Sequence, residues 1–144
     1  ALGQVRFQRA GEEGRAAALL RAAARFGERT GLPIETDVHT HAASVHGEQA
    51  ERLYRIAEEA LRNVERHAQA NQVSLSCLLE SDAIRIEIAD DGRGFDAKAA
   101  NPGHYGLAGM IEQAQMIGGT LAIETSPGQG ARLIVRAPLV HQER

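Results

Sequence analysis

The chain has 144 residues, with 16 basic and 19 acidic side chains, a formal charge of −3 and one cysteine. That length suits one domain with one core, and the charge balance gives no reason to expect a nucleic-acid partner. Cys77 cannot form an internal disulfide, so a reducing, cytoplasmic compartment is the expectation. No apolar run approaches the roughly 18 residues needed to cross a bilayer, and the first residues are no signal peptide. The chain starts at Ala1 and not at Met. A fragment or processed product is expected, and any membrane anchor of a parent protein would lie elsewhere.

Residues 1–14 mix Gly, Gln, Arg and Glu without periodicity and read as a lead-in or the frayed end of a helix cut from its partner. Residues 15–140 form the expected domain and 141–144 a tail. From Arg15 to Arg29 the alanines, leucines and arginines are strong helix formers, and Gly31 with Pro33 supplies the stop. Pro33 to Thr40 reads as an edge strand, with Ile34, Thr36, Val38 and Thr40 on one side. His39 and His41 would share a side of that strand, but no cysteine or carboxylate cluster completes a metal ligand set.

Glu48 to Ala68 carries the strongest helical period. Leu53, Ile56, Ala57, Ala60, Leu61, Val64 and Ala68 form one apolar stripe. Glu59, Asn63 and His67 are spaced four apart along its edge, so they can face one cavity at the core's rim. The same column would equally serve as a polar edge facing solvent.

Two alternating strands follow, Val73 to Glu80 and Ala83 to Ala89, whose tight join at Ser81-Asp82 makes them a hairpin. Asp90-Asp91-Gly92-Arg93-Gly94-Phe95 then ends the second strand. Alone this is a plain turn as readily as a site, but a carboxylate at a strand end beside glycines also suits a flat, amine-bearing ligand. Asp96 to Tyr105 has the length and composition of a functional loop. Leu107, Met110, Ala114 and Ile117 repeat at helical spacing, and Gly118-Gly119 reads as a C-terminal cap. Thr120 to Thr125 and Ala131 to Pro138 form a last hairpin around Ser126-Pro127-Gly128-Gln129-Gly130. The order predicts an α/β two-layer sandwich, with a mixed, mostly antiparallel sheet and helices on one face. Paired strands without intervening helices exclude a doubly wound fold. There is no GxxxxGK[ST] loop either.

Four stretches in this order resemble the N, G1, G2 and G3 boxes of the GHKL ATPases: Leu53 to Ala68, Asp90 to Phe95, Gly106-Leu107-Ala108-Gly109-Met110, and Gly128-Gln129-Gly130. The likeness runs from about Arg15 to Leu139. It is strongest to the catalytic ATP-binding domain of bacterial two-component sensor histidine kinases of the nitrate-sensor and lipid-fluidity-sensor type.

The resemblance implies ATP and Mg²⁺ as ligands and gives each box a role. Asp90 would accept a hydrogen bond from the adenine amino group, a charge-assisted contact worth about 1.5–3 kcal/mol. Gly92 and Gly94 would leave room for the base and a water. Asn63 would offer its amide oxygen to Mg²⁺, Glu59 would hold the metal's water shell or polarise the γ-phosphate side, and His67 would donate to a phosphate oxygen. Gly106 and Gly109 would turn backbone N–H groups to the phosphates, under a lid from Asp96 to Tyr105. The implied ATP-binding set is completed by Phe95, Tyr105, Leu107, Met110, Gly130 and Ala131.

The implied reaction moves the ATP γ-phosphoryl to a histidine on a dimerisation domain, for relay to a response regulator, in a homodimeric parent. None of the six histidines sits in the helical His-Glu or His-Asp pair of such an acceptor. Two departures stand out. Ile111-Glu112-Gln113 replaces the usual Arg-Glu-Arg after the G2 box, and Ala131 replaces a common Thr. A non-catalytic nucleotide-sensing module and an anti-sigma-factor type serine kinase remain alternatives on the same fold.

Overall fold

The alternating apolar residues of the central strands line one face of a five-stranded sheet, and three helices close over that face. The computed structural model describes residues 10–39, 47–96 and 104–139. In chain order the elements are α1 (Ala10–Thr30), β1 (Ile34–Val38), α2 (Gly47–Asn63), β2 (Val73–Glu80), β3 (Ala83–Asp90), α3 (Leu107–Met116), β4 (Thr120–Thr125) and β5 (Ala131–Pro138). The strand order is β1-β2-β3-β5-β4. Only the β1–β2 pair is parallel, because α2 provides the crossover between those strands. The expected two-layer sandwich is the observed fold.

Ile84, Ile86 and Ile88 of β3 point inward with Val73, Leu75 and Cys77 of β2 and Leu133, Val135 and Ala137 of β5. Above them lie Phe26 of α1, the stripe Leu53, Ile56, Ala57, Ala60 and Leu61 of α2, and Met110 and Ala114 of α3. Cys77 is a core residue as expected, and burial pushes its thiol up to about 12. The outer face of the sheet carries ion pairs instead, among them Arg85–Glu87 at 2.8 Å and Arg132–Glu87 at 2.9 Å. Such solvated pairs are worth at most about 1 kcal/mol, so the sheet is held by its inner face.

Three boundaries differ from the sequence reading. α1 begins at Ala10, inside the expected lead-in. β1 stops at Val38, and Thr36 is exposed; an edge strand with one neighbour buries only Ile34 and Val38 partly. The expected partner histidine, His41, lies outside the described residues, and among those described no three His, Cys, Asp or Glu side chains cluster as for a metal. The third difference is at the end of α2. Where a continuous α-helix to Ala68 was expected, Val64–Ala68 is a π-helical turn ending at Gln69 with φ 53°. Extra-wide turns of this kind are frequent at functional sites. α3, in contrast, ends as expected: the Gly118 N–H donates to the Gln115 carbonyl (3.0 Å) and the Gly119 N–H to that of Ala114 (2.8 Å), with Gly118 at φ 71°.

Candidate nucleotide site

The π turn, the end of β3, the glycine stretch after it and the start of α3 converge on one small apolar cavity of about 50 Å³. Of the expected residues, Asn63, His67, Asp90, Gly94, Phe95, Tyr105, Leu107 and Ala131 line it. Ala60, Val64, Ile88, Ile123 and Leu133 complete its apolar wall. Three aromatic rings stand together there. Tyr105 stacks on Phe95 at 4.2 Å and meets the edge of His67 at 4.8 Å. Tyr105 holds this place with φ 62°, a left-handed conformation uncommon for a residue with a side chain. Its carbonyl accepts a hydrogen bond from the Asn63 amide Nδ2.

Asp90 is the last residue of β3 and closes the polar end of the cavity. Its Oδ1 accepts the Gly92 N–H at 2.8 Å. Burial pushes its carboxyl above the ordinary carboxylate range, Asp91 adds to that, and the Gly92 and Ala131 N–H groups oppose it only in part. Asp91 faces the other way. It accepts the N–H groups of Asn71 (2.8 Å) and Gln72 (3.0 Å), which hold its carboxyl below the ordinary range. The two adjacent aspartates thus divide the work: one ties β3 to the start of β2, the other presents a carboxylate to the cavity.

Several expected residues do not line the cavity. Met110 is a core residue, 2% exposed. Glu59 is bonded by Arg62 on its own helix and packed on Gly106, where an added Cβ would come within 2.7 Å of Glu59 Oε2. Gly109 has open space where a Cβ would go, so no steric demand explains it. The glycines of the turn let backbone segments pass close to one another. A Cβ on Gly92 would sit 2.1 Å from the Ala68 carbonyl oxygen, and one on Gly94 would sit 2.1 Å from that of Ser126. A Cβ on Gly130, similarly, would sit 2.3 Å from the Asp90 carbonyl oxygen. Residues 97–103, the middle of the expected lid, lie outside the described residues.

This packing makes Gly94→Ala a sharp test. Gly94 needs φ 63° and has backbone on its Cβ side, whereas Gly128 needs φ 81° but faces open space. Both alanine variants bear a left-handed penalty of about 1–2 kcal/mol; Gly94→Ala adds an overpacking cost of about 1–3 kcal/mol. Thermal or urea unfolding should therefore show a loss at Gly94 larger than that at Gly128 by about 1–3 kcal/mol. Equal losses would mean that the loop gives way easily.

The structure also brings in residues that the sequence reading passed over. The Thr125 hydroxyl donates to the Gly130 carbonyl (2.7 Å) and accepts the Phe95 N–H (3.1 Å), joining two glycine motifs. Arg93 caps the π turn from the middle of the Asp90 stretch. Arg52 of α2 reaches α3, donating to Gln113 Oε1 at 2.8 Å, so a basic side chain does stand beside the helix that lacks its own arginines. Only the position of Thr125 at a strand end before Ser-Pro-Gly hinted at any of this; long-range partners leave no trace in spacing.

Comparison with known proteins gives a consistent picture. Residues 48–141 match the family model of the histidine kinase-, DNA gyrase B-, and HSP90-like ATPases. The chain is 32% identical over 119 residues to the sensor histidine kinase LiaS of Bacillus subtilis, covering 83% of this chain and 32% of LiaS. It is 33% identical to the kinase/phosphatase DegS of Brevibacillus brevis over 82% of this chain and 31% of that protein. The chain thus spans about a third of the length of these curated relatives. Among solved structures, the histidine kinase domain of the blue-light activated kinase of Erythrobacter litoralis superposes with a TM-score of 0.74 at 25% identity, covering 87% of this chain and 61% of that one. The ATP binding domain of PrrB from Mycobacterium tuberculosis does so with 0.70 at 27%, covering 88% and 94%.

Proposed function

Because the chain belongs to the histidine kinase-, DNA gyrase B- and HSP90-like ATPase family, we propose that it is the ATP-binding catalytic unit of a sensor histidine kinase. The observation that carries this reading is the convergence of Asn63, His67 and Asp90, from two separate motifs, on one apolar cavity. An apolar slot with one carboxylate at its end is what an adenine ring needs: burial for its faces and an acceptor for its amino group. Leu107, Ile88 and Leu133 would flank the base.

The phosphates would lie towards the turn at His104–Gly106 and the start of α3, where helix N–H groups face an anion. His67 would donate to a phosphate oxygen. The described residues fit Mg²⁺ in one respect: Asn63 spends its N–H on Tyr105 and keeps an amide oxygen, with Glu59 one turn away. When bound, Mg²⁺ would supply charge neutralisation at the phosphates. Asn63 and Glu59 would hold it. The protein's part in the transfer is positioning and charge neutralisation, with the γ-phosphoryl passing to a histidine on a dimerisation domain and then to a response regulator. The parent would be a homodimer, and this unit would work in the cytoplasm, where ATP is supplied. In the described residues no helix is long and apolar enough to cross a membrane.

A nucleotide-sensing module without transfer is the second reading, favoured by Ile111 standing 41% exposed where a basic residue was expected. Calorimetric titration with ADP and a non-hydrolysable ATP analogue, with and without Mg²⁺ and with a guanine analogue as control, tests the first step. Saturable, adenine-selective binding that Mg²⁺ strengthens is the expected result; no binding, or equal binding of guanine, would overturn the site. Phosphoryl transfer to the parent's dimerisation domain separates the two readings.

A further inference from the structure

We propose that Arg93 is the positioning residue that sets His67 and Asp90 across the cavity from each other; the proposal rests on the nucleotide reading and deepens it. The last carbonyls of a helix have no partner within the helix. Here Arg93 takes two of them. Its Nε donates to the His67 carbonyl at 2.7 Å, and its backbone N–H donates to the Ala68 carbonyl, also at 2.7 Å. Its own carbonyl accepts the Gly128 N–H at 2.6 Å from the β4–β5 turn. One residue thereby joins the end of α2, the glycine stretch and the last hairpin. Gly92, just before it, is pressed so closely on Ala68 that no Cβ fits. The chain distance from Arg93 back to Asp90 is three residues, so the tie fixes the helix end relative to the carboxylate at the strand end.

The guanidinium matters because the bond goes to the backbone of His67 itself, inside the π turn that aims its ring at Tyr105. Arg93 does not line the cavity, and it is exposed. Its contribution to global stability is accordingly small. Its effect falls on where the imidazole stands. A residue acting only as surface charge would leave the ring unmoved.

The test compares R93M and R93K with the unaltered protein, using the His67 imidazole NMR signals, assigned through H67Q, and ADP affinity by calorimetry. R93M is expected to shift the His67 ring signals before any nucleotide is added. It should also weaken ADP binding about tenfold, with the melting temperature lowered by about 3 °C or less. R93K, which can still donate to the His67 carbonyl, should restore most of both. Unchanged His67 signals in R93M overturn the proposal whatever happens to affinity, because weakened binding alone would place Arg93 against the nucleotide. If R93M fails to fold, R93K decides: near-native His67 signals and affinity support the tie, and loss of both overturns it. Should the unaltered protein bind no ADP, the nucleotide reading falls while the His67 comparison still tests the tie.

Discussion

Asn63→Ala is expected to abolish phosphoryl transfer and to erase the strengthening of nucleotide binding by Mg²⁺. The side chain would have two jobs at once. Its amide nitrogen donates to the Tyr105 carbonyl, which holds the turn before α3 against the helix. Its oxygen is the proposed ligand for Mg²⁺. Loss of one metal-site partner typically costs about 10–100-fold in metal affinity or activity, and here the turn that receives the phosphates is released as well. Asn63→Asp is the more telling partner variant. It keeps an oxygen of the same size, but it sets a carboxylate against the Tyr105 carbonyl, two acceptors with no proton between them. It should therefore lose transfer too, while keeping some dependence on Mg²⁺. The measurements are affinity for a non-hydrolysable ATP analogue across a Mg²⁺ series and transfer to the acceptor domain. Full transfer in Asn63→Ala would remove the residue from the mechanism.

Asp90→Asn is expected to weaken adenine nucleotides by about 10- to 150-fold, the equivalent of one charge-assisted hydrogen bond of about 1.5–3 kcal/mol. The substitution is isosteric, and its amide oxygen can still accept the Gly92 N–H. The unliganded domain should therefore be no less stable than the native one. It should be slightly more stable near neutral pH, because burial disfavours the native carboxylate. The sign follows from that shift. With its folded value raised, Asp90 contributes most below the ordinary carboxylate range and loses that contribution as pH rises through the folded value. Asp91, held low by the Asn71 and Gln72 N–H groups, behaves oppositely: its contribution is present above the ordinary range and is lost as pH falls. ADP affinity in the native protein should fall on acidification at a higher pH than an ordinary carboxylate would require, as Asp90 takes up its proton. That acid limb should vanish in Asp90→Asn. A variant with native affinity and a native pH profile would mean that the base sits elsewhere.

What could be read in advance was whatever depends on near neighbours in the chain. The stripe from Leu53 to Ala68, the alternation Ile84-Ile86-Ile88, the Ser81-Asp82 join and the Gly118 cap each express a local rule, and each stands where the residues indicated. The sheet order was not legible. Placing β5 between β3 and β4 depends on which strand edges remain open once the first hairpin has formed. The site divides the same way. Asn63, His67 and Asp90 were nameable from motif and spacing, and the fold brings them to one cavity. The backbone neighbours of the glycines were not legible, because what a missing Cβ makes room for depends on the chain that passes over it. For Gly92 that is the helix end at Ala68, and for Gly94 the turn at Ser126.

By itself, then, the sequence determined the periods, the breaks and the chemical identity of the groups at the cavity, since those follow from side-chain shape and polarity along a short stretch. The π turn at Val64–Ala68, the Arg93 tie, the stacked Phe95–Tyr105 pair and the raised carboxyl of Asp90 were decided only in three dimensions. Each arises where segments 20 or more residues apart in the chain meet, or, for Phe95 and Tyr105, where two rings ten residues apart do. A carbonyl's partner, a ring's neighbour and a carboxylate's dielectric surroundings exist only after that meeting.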